Sequence, residues 1–191
     1  MQITLALIVA NVVVYLLQGL APGIVVPFAL WPLGAGERGG APFEPWQLVT
    51  YAFLHGNLPH IAFNMLGLYM FGGPIERVFG SRRYLVYYFV CVVSAAITQL
   101  LVAGMMGAVY PTVGASGGIF GLLLAYGIYF PHNRVMLLFP PIPMPARVFV
   151  VVYAAIELFL GVTGTQEGVA HFAHLGGMIG GYVLLRLWRS G

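Results

Sequence analysis

The chain has no aspartate, no lysine and only one cysteine. Charged residues make up 7% of its 191 positions, against about 25% in a soluble domain, which excludes an ordinary water-soluble fold. The eight positive charges are all arginine, the five acids are all glutamate, and the formal net charge is only +3. The arginines are scattered rather than clustered, so there is no basic patch for a nucleic-acid partner. Cys91 stands alone in an apolar run and can form no internal disulfide, so it carries no redox information. The chain also lacks a His-Glu-x-x-His run, the helical signature of zinc proteases.

What the chain has in quantity is apolar sequence. It is 60% hydrophobic, with a mean hydropathy of +0.92. A spanning helix takes about 20 apolar residues. The pattern predicts an all-α polytopic membrane protein, one domain over residues 1–191. Six spans are expected, at roughly 3–20, 59–79, 84–104, 112–130, 147–162 and 169–187. No basic residue precedes the first run, so it reads as an uncleaved span rather than a signal peptide. If the spans alternate, Arg77, Arg82, Arg83, Arg134, Arg147, Arg186 and Arg189 fall on one side and only Arg38 on the other. The positive-inside rule then puts both termini in the cytoplasm.

Residues 21–58 form a long outer connection rich in Gly and Pro that also carries Trp31, Phe43 and Trp46. Loops of that length are usually functional or disordered, and the aromatics argue against disorder. Tryptophan favours the membrane interface, so the loop is expected to lie partly in the outer leaflet. Pro74 is the one clear proline inside a span, and Pro140 to Pro145 reads as a stiff inner spacer.

Against this apolar background, a few polar residues carry the chemistry. Ser116 sits in Gly114-Ala115-Ser116-Gly117-Gly118, which matches the nucleophile elbow of soluble hydrolases in letters but lacks the strand and sheet that elbow requires. Two readings stand for this run alone. Its small residues allow close helix packing. They also leave room for a substrate backbone, with the serine near a helix N-terminus whose free amides can hold an oxyanion. His174 lies near the outer end of the sixth span, at the depth of Ser116, and a histidine inside a span is a functional candidate. Gly177 and Gly181 form a small-xxx-small seam below it, expected to pack on the fourth span and bring His174 within reach of Ser116. His60 and Asn64 are four apart and share a helix face, again toward the outer end. With the Ser116 amide they could form an oxyanion hole, or they could be polar glue between helices. Glu157 falls inside the fifth span, where a carboxylate must be protonated, paired or hydrated. A part in a substrate gate is one reading of it.

Taken together these pieces resemble the rhomboid family of intramembrane serine proteases, in its six-span bacterial form. The matching runs are Gly114-x-Ser116-Gly117, His174-x-x-Gly177-x-x-x-Gly181, and His55-x-x-x-x-His60-x-x-x-Asn64, with Gly72-Gly73-Pro74-Ile75-Glu76 at the second-span exit. The resemblance implies a Ser–His dyad with no catalytic acid. Ser116 would be the nucleophile and His174 the general base and then acid. His60, Asn64 and the Ser116 backbone N–H would form the oxyanion hole. No cofactor or metal is implied. The implied substrates are transmembrane segments of membrane proteins, cut near the outer face of a bacterial inner membrane through an acyl-enzyme. Access would be past the fifth span, with residues 164–168 as a lid. The alternative is an inactive rhomboid-like protein that binds membrane clients, but such relatives lack the serine or the histidine. A metal site built from His55, His60, His171 and His174 is a further alternative, and a small transporter or channel is another. A transporter would line a full path with polar residues, whereas here they gather near the outer face.

Two departures from the family pattern stand out. Trp46 is followed by Gln47 where the family often has Trp-Arg, which puts the loop's usual hydrogen bonding in question. Phe120 stands where some members stack a tyrosine on the catalytic histidine. The acid nearest to His174 in sequence is Glu167.

Overall fold

A computed structural model describes residues 1–136, 141–164 and 170–190. The helices are α1 (Gln2–Leu20), α2 (Leu58–Gly67), α3 (Gly73–Phe79), α4 (Ser81–Met106), α5 (Ser116–Tyr129), α6 (Ala146–Thr163) and α7 (His171–Ser190). A π-helical turn, Leu68–Gly72, joins α2 to α3, so residues 58–79 run as one helical rod. The turn immediately precedes Pro74. Proline lacks an N–H and its ring collides with the carbonyl four residues back, and a π turn makes the extra room. The one strand pair among the described residues is β1 (Arg134–Met136) with β2 (Pro143–Pro145), antiparallel, with Val135 opposite Met144. The connector expected on the inner side is therefore a short β-ribbon rather than a bare spacer, and Pro140 lies outside the described residues.

The packing is that of a membrane protein. Leu5, Val9, Leu16 and Leu20 of α1 face outward, as do Val151, Phe159 and Val162 of α6. An apolar face this continuous belongs against lipid rather than water. Polar groups go inward instead, with Thr4, Asn11, Asn64, Glu76, Glu157, His171 and His174 all buried. Three helices, α1, α4 and α6, are each long and apolar enough to cross a membrane. This agrees with the expected all-α polytopic class.

The broadest contacts are made by α7, against α4 and α5. Glycine permits that closeness. A Cβ on Gly177 would run into the Gly117 carbonyl of α5, and one on Gly181 would meet the Tyr87 hydroxyl of α4. The Gly177–Gly181 seam therefore does not pack on one partner, as expected from its spacing, but divides between two. The upper glycine of the seam thus faces α5 and the lower one faces α4, which packs against both α5 and α7. Ser94 donates to the Gly176 carbonyl at 2.8 Å and Tyr87 to the Gly121 carbonyl at 2.8 Å, which fixes the register of all three helices.

The 21–58 loop is built of short helical turns that tie back on themselves. Gln47 is buried and accepts from the Trp31 N–H at 3.1 Å, while its amide lies 3.3 Å from both the Pro27 and the Pro42 carbonyls. Glutamine thus supplies the loop's cross-bracing at the position in question. The Trp46 indole donates to the Pro27 carbonyl at 2.9 Å. Gln18 at the end of α1 exchanges two bonds with the His55 backbone, at 3.0 and 3.1 Å. At the other end of α1, Glu76 accepts from the Ile3 and Thr4 amides and the Thr4 hydroxyl, satisfying first-turn donors of that helix.

Candidate active site

Helix α5 begins at Ser116, four residues later than the apolar run suggests. The preceding segment is held extended by an antiparallel bridge, Thr112 to Leu30, with bonds of 2.9 and 3.0 Å. Gly114 then turns at φ +126°, a conformation open to glycine, with its N–H on the Tyr51 carbonyl at 2.9 Å. Tyr51 is anchored in turn by its hydroxyl on the Val92 carbonyl at 2.9 Å. Burial holds that phenol well above its usual range, so it stays a donor. The 21–58 loop therefore fixes the entry into α5, and Ser116 occupies the first position of the helix. Among the described residues no carbonyl accepts the Ser116 amide. A helix of 14 residues is about 21 Å long, short of the ~30 Å hydrocarbon core, so its first residue need not lie at a membrane surface.

His174 stands on the first turn of α7. Its Nε2 lies 2.7 Å from Ser116 Oγ. Its ring lies flat on Phe120, with centroids 4.3 Å apart and planes 3° apart, so phenylalanine does stack at this position. The other ring nitrogen, Nδ1, is 2.8 Å from Glu157 Oε2. The same carboxylate oxygen is 2.6 Å from His171 Nδ1. The acid nearest in space to His174 is thus Glu157 of α6. Glu167 lies outside the described residues.

His60 and Asn64 lie across the site on α2. Asn57 caps this helix, its side chain accepting from the His60 N–H at 2.8 Å. The His60 Nδ1 accepts from the Gly56 N–H over a long 3.4 Å, which leaves the proton of the neutral ring on Nε2. That Nε2 approaches Gly114 so closely that a Cβ there would sit 2.7 Å from it and 3.8 Å from Ser116 Oγ. Asn64 is buried and gives one amide hydrogen to the His60 carbonyl at 2.9 Å, which leaves a second free. His55 packs edge-on against His60 at 5.0 Å. Burial, reinforced by His60, pushes the His55 ring down to about 4, so it is neutral at physiological pH.

Ser116, His174, His60 and Asn64 all line one cavity of about 1100 Å³, with Phe63, Phe120, Phe149 and Tyr153 as apolar wall. It therefore gathers every residue expected at the site. Glu157, singled out as a lone carboxylate in an apolar run, is the residue whose partners the sequence left open, and it meets His171 and His174.

Glu157 Oε2, His171 Nδ1 and His174 Nδ1 are the one triplet of potential metal ligands among the described residues. Ligands about 2.1 Å from a tetrahedral zinc stand roughly 3.4 Å apart. The observed 2.6 and 2.8 Å are hydrogen-bond separations. His55 and His60 contribute to no such triplet among the described residues.

A family model described as the Rhomboid domain matches residues 42–190. The chain is 32% identical over 139 residues to "Rhomboid protease GluP" of Bacillus subtilis (strain 168), covering 73% of this chain and 25% of that protein. It is 30% identical over 193 residues to "Rhomboid protease GlpG" of Serratia proteamaculans (strain 568), covering 97% and 62%. It is 33% identical over 149 residues to "RHOMBOID-like protein 4" of Arabidopsis thaliana, covering 74% and 33%. The chain thus spans between a quarter and about three-fifths of the length of these curated relatives.

Proposed function

The chain belongs to the rhomboid family, and on that premise we propose that it is an intramembrane serine endopeptidase that cuts transmembrane segments of other membrane proteins near the outer membrane face. The observation that carries the proposal is the 2.7 Å contact between Ser116 Oγ and His174 Nε2, set in a cavity at the start of a short helix.

Ser116 Oγ attacks the substrate carbonyl carbon as its proton passes to His174 Nε2. The carbonyl oxygen becomes an oxyanion held by the Ser116 N–H, the His60 Nε2–H and the free Asn64 amide hydrogen. Losing one such donor typically costs about 2.7–4 kcal/mol of barrier. The tetrahedral adduct collapses, the C–N bond breaks, and the leaving amine takes the proton from His174. A water then gives its proton to His174 and attacks the acyl-Ser116 ester. Collapse of that second adduct frees the new carboxyl end and returns the proton to Ser116.

The substrate helix must unwind locally, because its carbonyls are otherwise engaged in internal hydrogen bonds. It enters past α6. The lid expected at residues 164–168 lies outside the described residues except for Gly164. The chain crosses the membrane six times, in a bacterial inner membrane, with both termini in the cytoplasm. The outer loop rests partly in the outer leaflet, where its exposed Val26, Phe28, Leu33 and Trp46 support such a position. An inactive client-binding relative would lack the serine or the histidine, and this chain keeps both.

The test is cleavage of a model transmembrane substrate by the purified protein in detergent and in vesicles. Ser116→Ala should abolish cleavage and also labelling by a fluorophosphonate. Cleavage that survives Ser116→Ala refutes the serine mechanism, and cleavage stopped only by a chelator would point to metal.

A further inference from the structure

The proposed dyad leaves one group at its centre without a task. Glu157 is 6% exposed, on the buried side of a helix whose Val151, Leu158, Phe159 and Val162 face outward, and its Oε2 meets both His171 Nδ1 and His174 Nδ1. An unpaired carboxylate at this depth would be costly, and two N–H donors on one oxygen offset that cost.

The proton positions follow from elementary chemistry. An ionised carboxylate only accepts hydrogen bonds. Each Nδ1 that touches it must therefore carry a hydrogen. For His174 that leaves Nε2 as the lone-pair nitrogen, and Nε2 is the atom 2.7 Å from Ser116 Oγ. A general base for Ser116 needs that tautomer. With the proton on Nε2 instead, the ring would present a donor to the hydroxyl and could take nothing from it.

From this arrangement we infer that Glu157 is a positioning residue. It holds His174 in the Nδ1–H tautomer and faces the imidazolium formed in each half-reaction, making the dyad a supported Ser116–His174–Glu157 line. His171 is the second donor that locks the carboxylate rotamer. Phe120 fixes the ring plane from its face, and Glu157 fixes rotation within that plane. No proton leaves His174 for Glu157 in either step. The proton taken from Ser116 stays on Nε2 until the leaving amine accepts it. The inference rests on the serine-protease reading above and adds the tautomer control that a bare dyad lacks.

The test uses the full chain in detergent. Glu157→Gln keeps the shape, but its amide can donate to Nδ1 and select the wrong tautomer. Converting the acid of a catalytic triad to its amide lowers kcat by about 10⁴-fold for that reason. The expected result here is a fall in kcat of about 100-fold or more, with KM within about threefold and the melting temperature nearly unchanged. Glu157→Asp should recover part of the loss. A second measurement needs no Glu157 variant to fold. Nitrogen-15 spectra of histidine-labelled wild-type protein, with His174 assigned by comparison with His174→Asn, should place the resting proton on Nδ1. A resting proton on Nε2 overturns the inference, as does Glu157→Gln with kcat within about threefold of wild type. If Ser116→Ala abolishes cleavage while Glu157→Gln does not, only this inference fails. If Ser116→Ala still cleaves, the underlying serine reading fails.

Discussion

Alanine at Gly177 tests how Ser116 and His174, the proposed catalytic pair, are brought together. A Cβ there would overlap the Gly117 carbonyl oxygen and stand 2.8 Å from the Gly117 carbonyl carbon and 3.3 Å from its Cα. Carbon atoms pack best about 3.5–4.0 Å apart, so α5 and α7 must separate by about 1 Å. All three obstructing atoms are backbone, so no side chain can swing aside. His174 lies one turn above Gly177, and Ser116 directly precedes Gly117. The separation therefore appears almost in full at the 2.7 Å Oγ···Nε2 contact and carries it past the ~3.2 Å limit of a good hydrogen bond. Misplacement by about 1 Å costs roughly 100-fold in rate, while overpacking costs about 1–3 kcal/mol of stability. The assay is kcat/KM on a transmembrane substrate, read beside the melting temperature in detergent. Gly104→Ala is the control, since nothing lies within 4 Å of its Cβ position. Activity of Gly177→Ala within about threefold of wild type would refute the argument that backbone contact sets the dyad. So would an equal loss from Gly104→Ala.

Gly114→Ala should abolish cleavage with only moderate loss of stability, because the new Cβ meets His60 Nε2 at 2.7 Å and forces φ +126° on a residue that resists it; wild-type turnover would show that His60 need not sit there. His174→Ala should leave no turnover while His171→Ala retains a measurable fraction, and equal losses in the substrate assay would undermine the choice of base. Stability should fall with acidification between pH about 6.5 and 4. His55 is held down to about 4 in the fold, so the unfolded chain binds the extra proton in that window, while above about 6.5 both states are neutral. Melting temperatures across that range should flatten in His55→Gln, and an unchanged slope would assign the pH dependence elsewhere.

Much of this arrangement was legible in the sequence, and the parts that were not have specific physical reasons. Ser116, His174, His60 and Asn64 could be placed at one depth because alternating spans fix depth, and each lies near the end of an apolar run expected to face the same side. The start of α5 at Ser116 was not visible to hydropathy, since Thr112, Val113, Gly114 and Ala115 are as apolar as the helix that follows. Their extended path comes from Leu30 and Tyr51, a long way back in the chain. The seam glycines were recognisable, but their partners were not, because spacing gives the face of a helix and not what lies against it. Gly181 therefore turned out to meet Tyr87. Glu157 shows the same limit. Glu167 is the acid nearest to His174 in sequence, whereas helix packing brings the carboxylate 17 positions away onto Nδ1.

The two halves of the site are positioned by different means. The Ser116–His174 contact depends on helix backbones in direct touch, Gly117 against Gly177, with Ser94 and Tyr87 bonding across the same helices. Such contacts deform little, since packed interiors have two states or one rather than a continuum. The proposed oxyanion side depends on the 21–58 loop instead. Gly114 hangs on the Tyr51 carbonyl, Thr112 on Leu30, and the loop itself on the Gln47 and Gln18 side chains. A substrate that disturbs the loop would thus shift the proposed oxyanion donors before it shifts His174. Changes in the loop, such as Gln47→Ala, should weaken transition-state stabilisation while leaving fluorophosphonate labelling of Ser116 less affected. A variant in the α5–α7 contact should lose labelling and cleavage together. Parallel loss of both activities in Gln47→Ala would mean that the loop and the helix contact form one cooperative unit, and the division drawn here would fall.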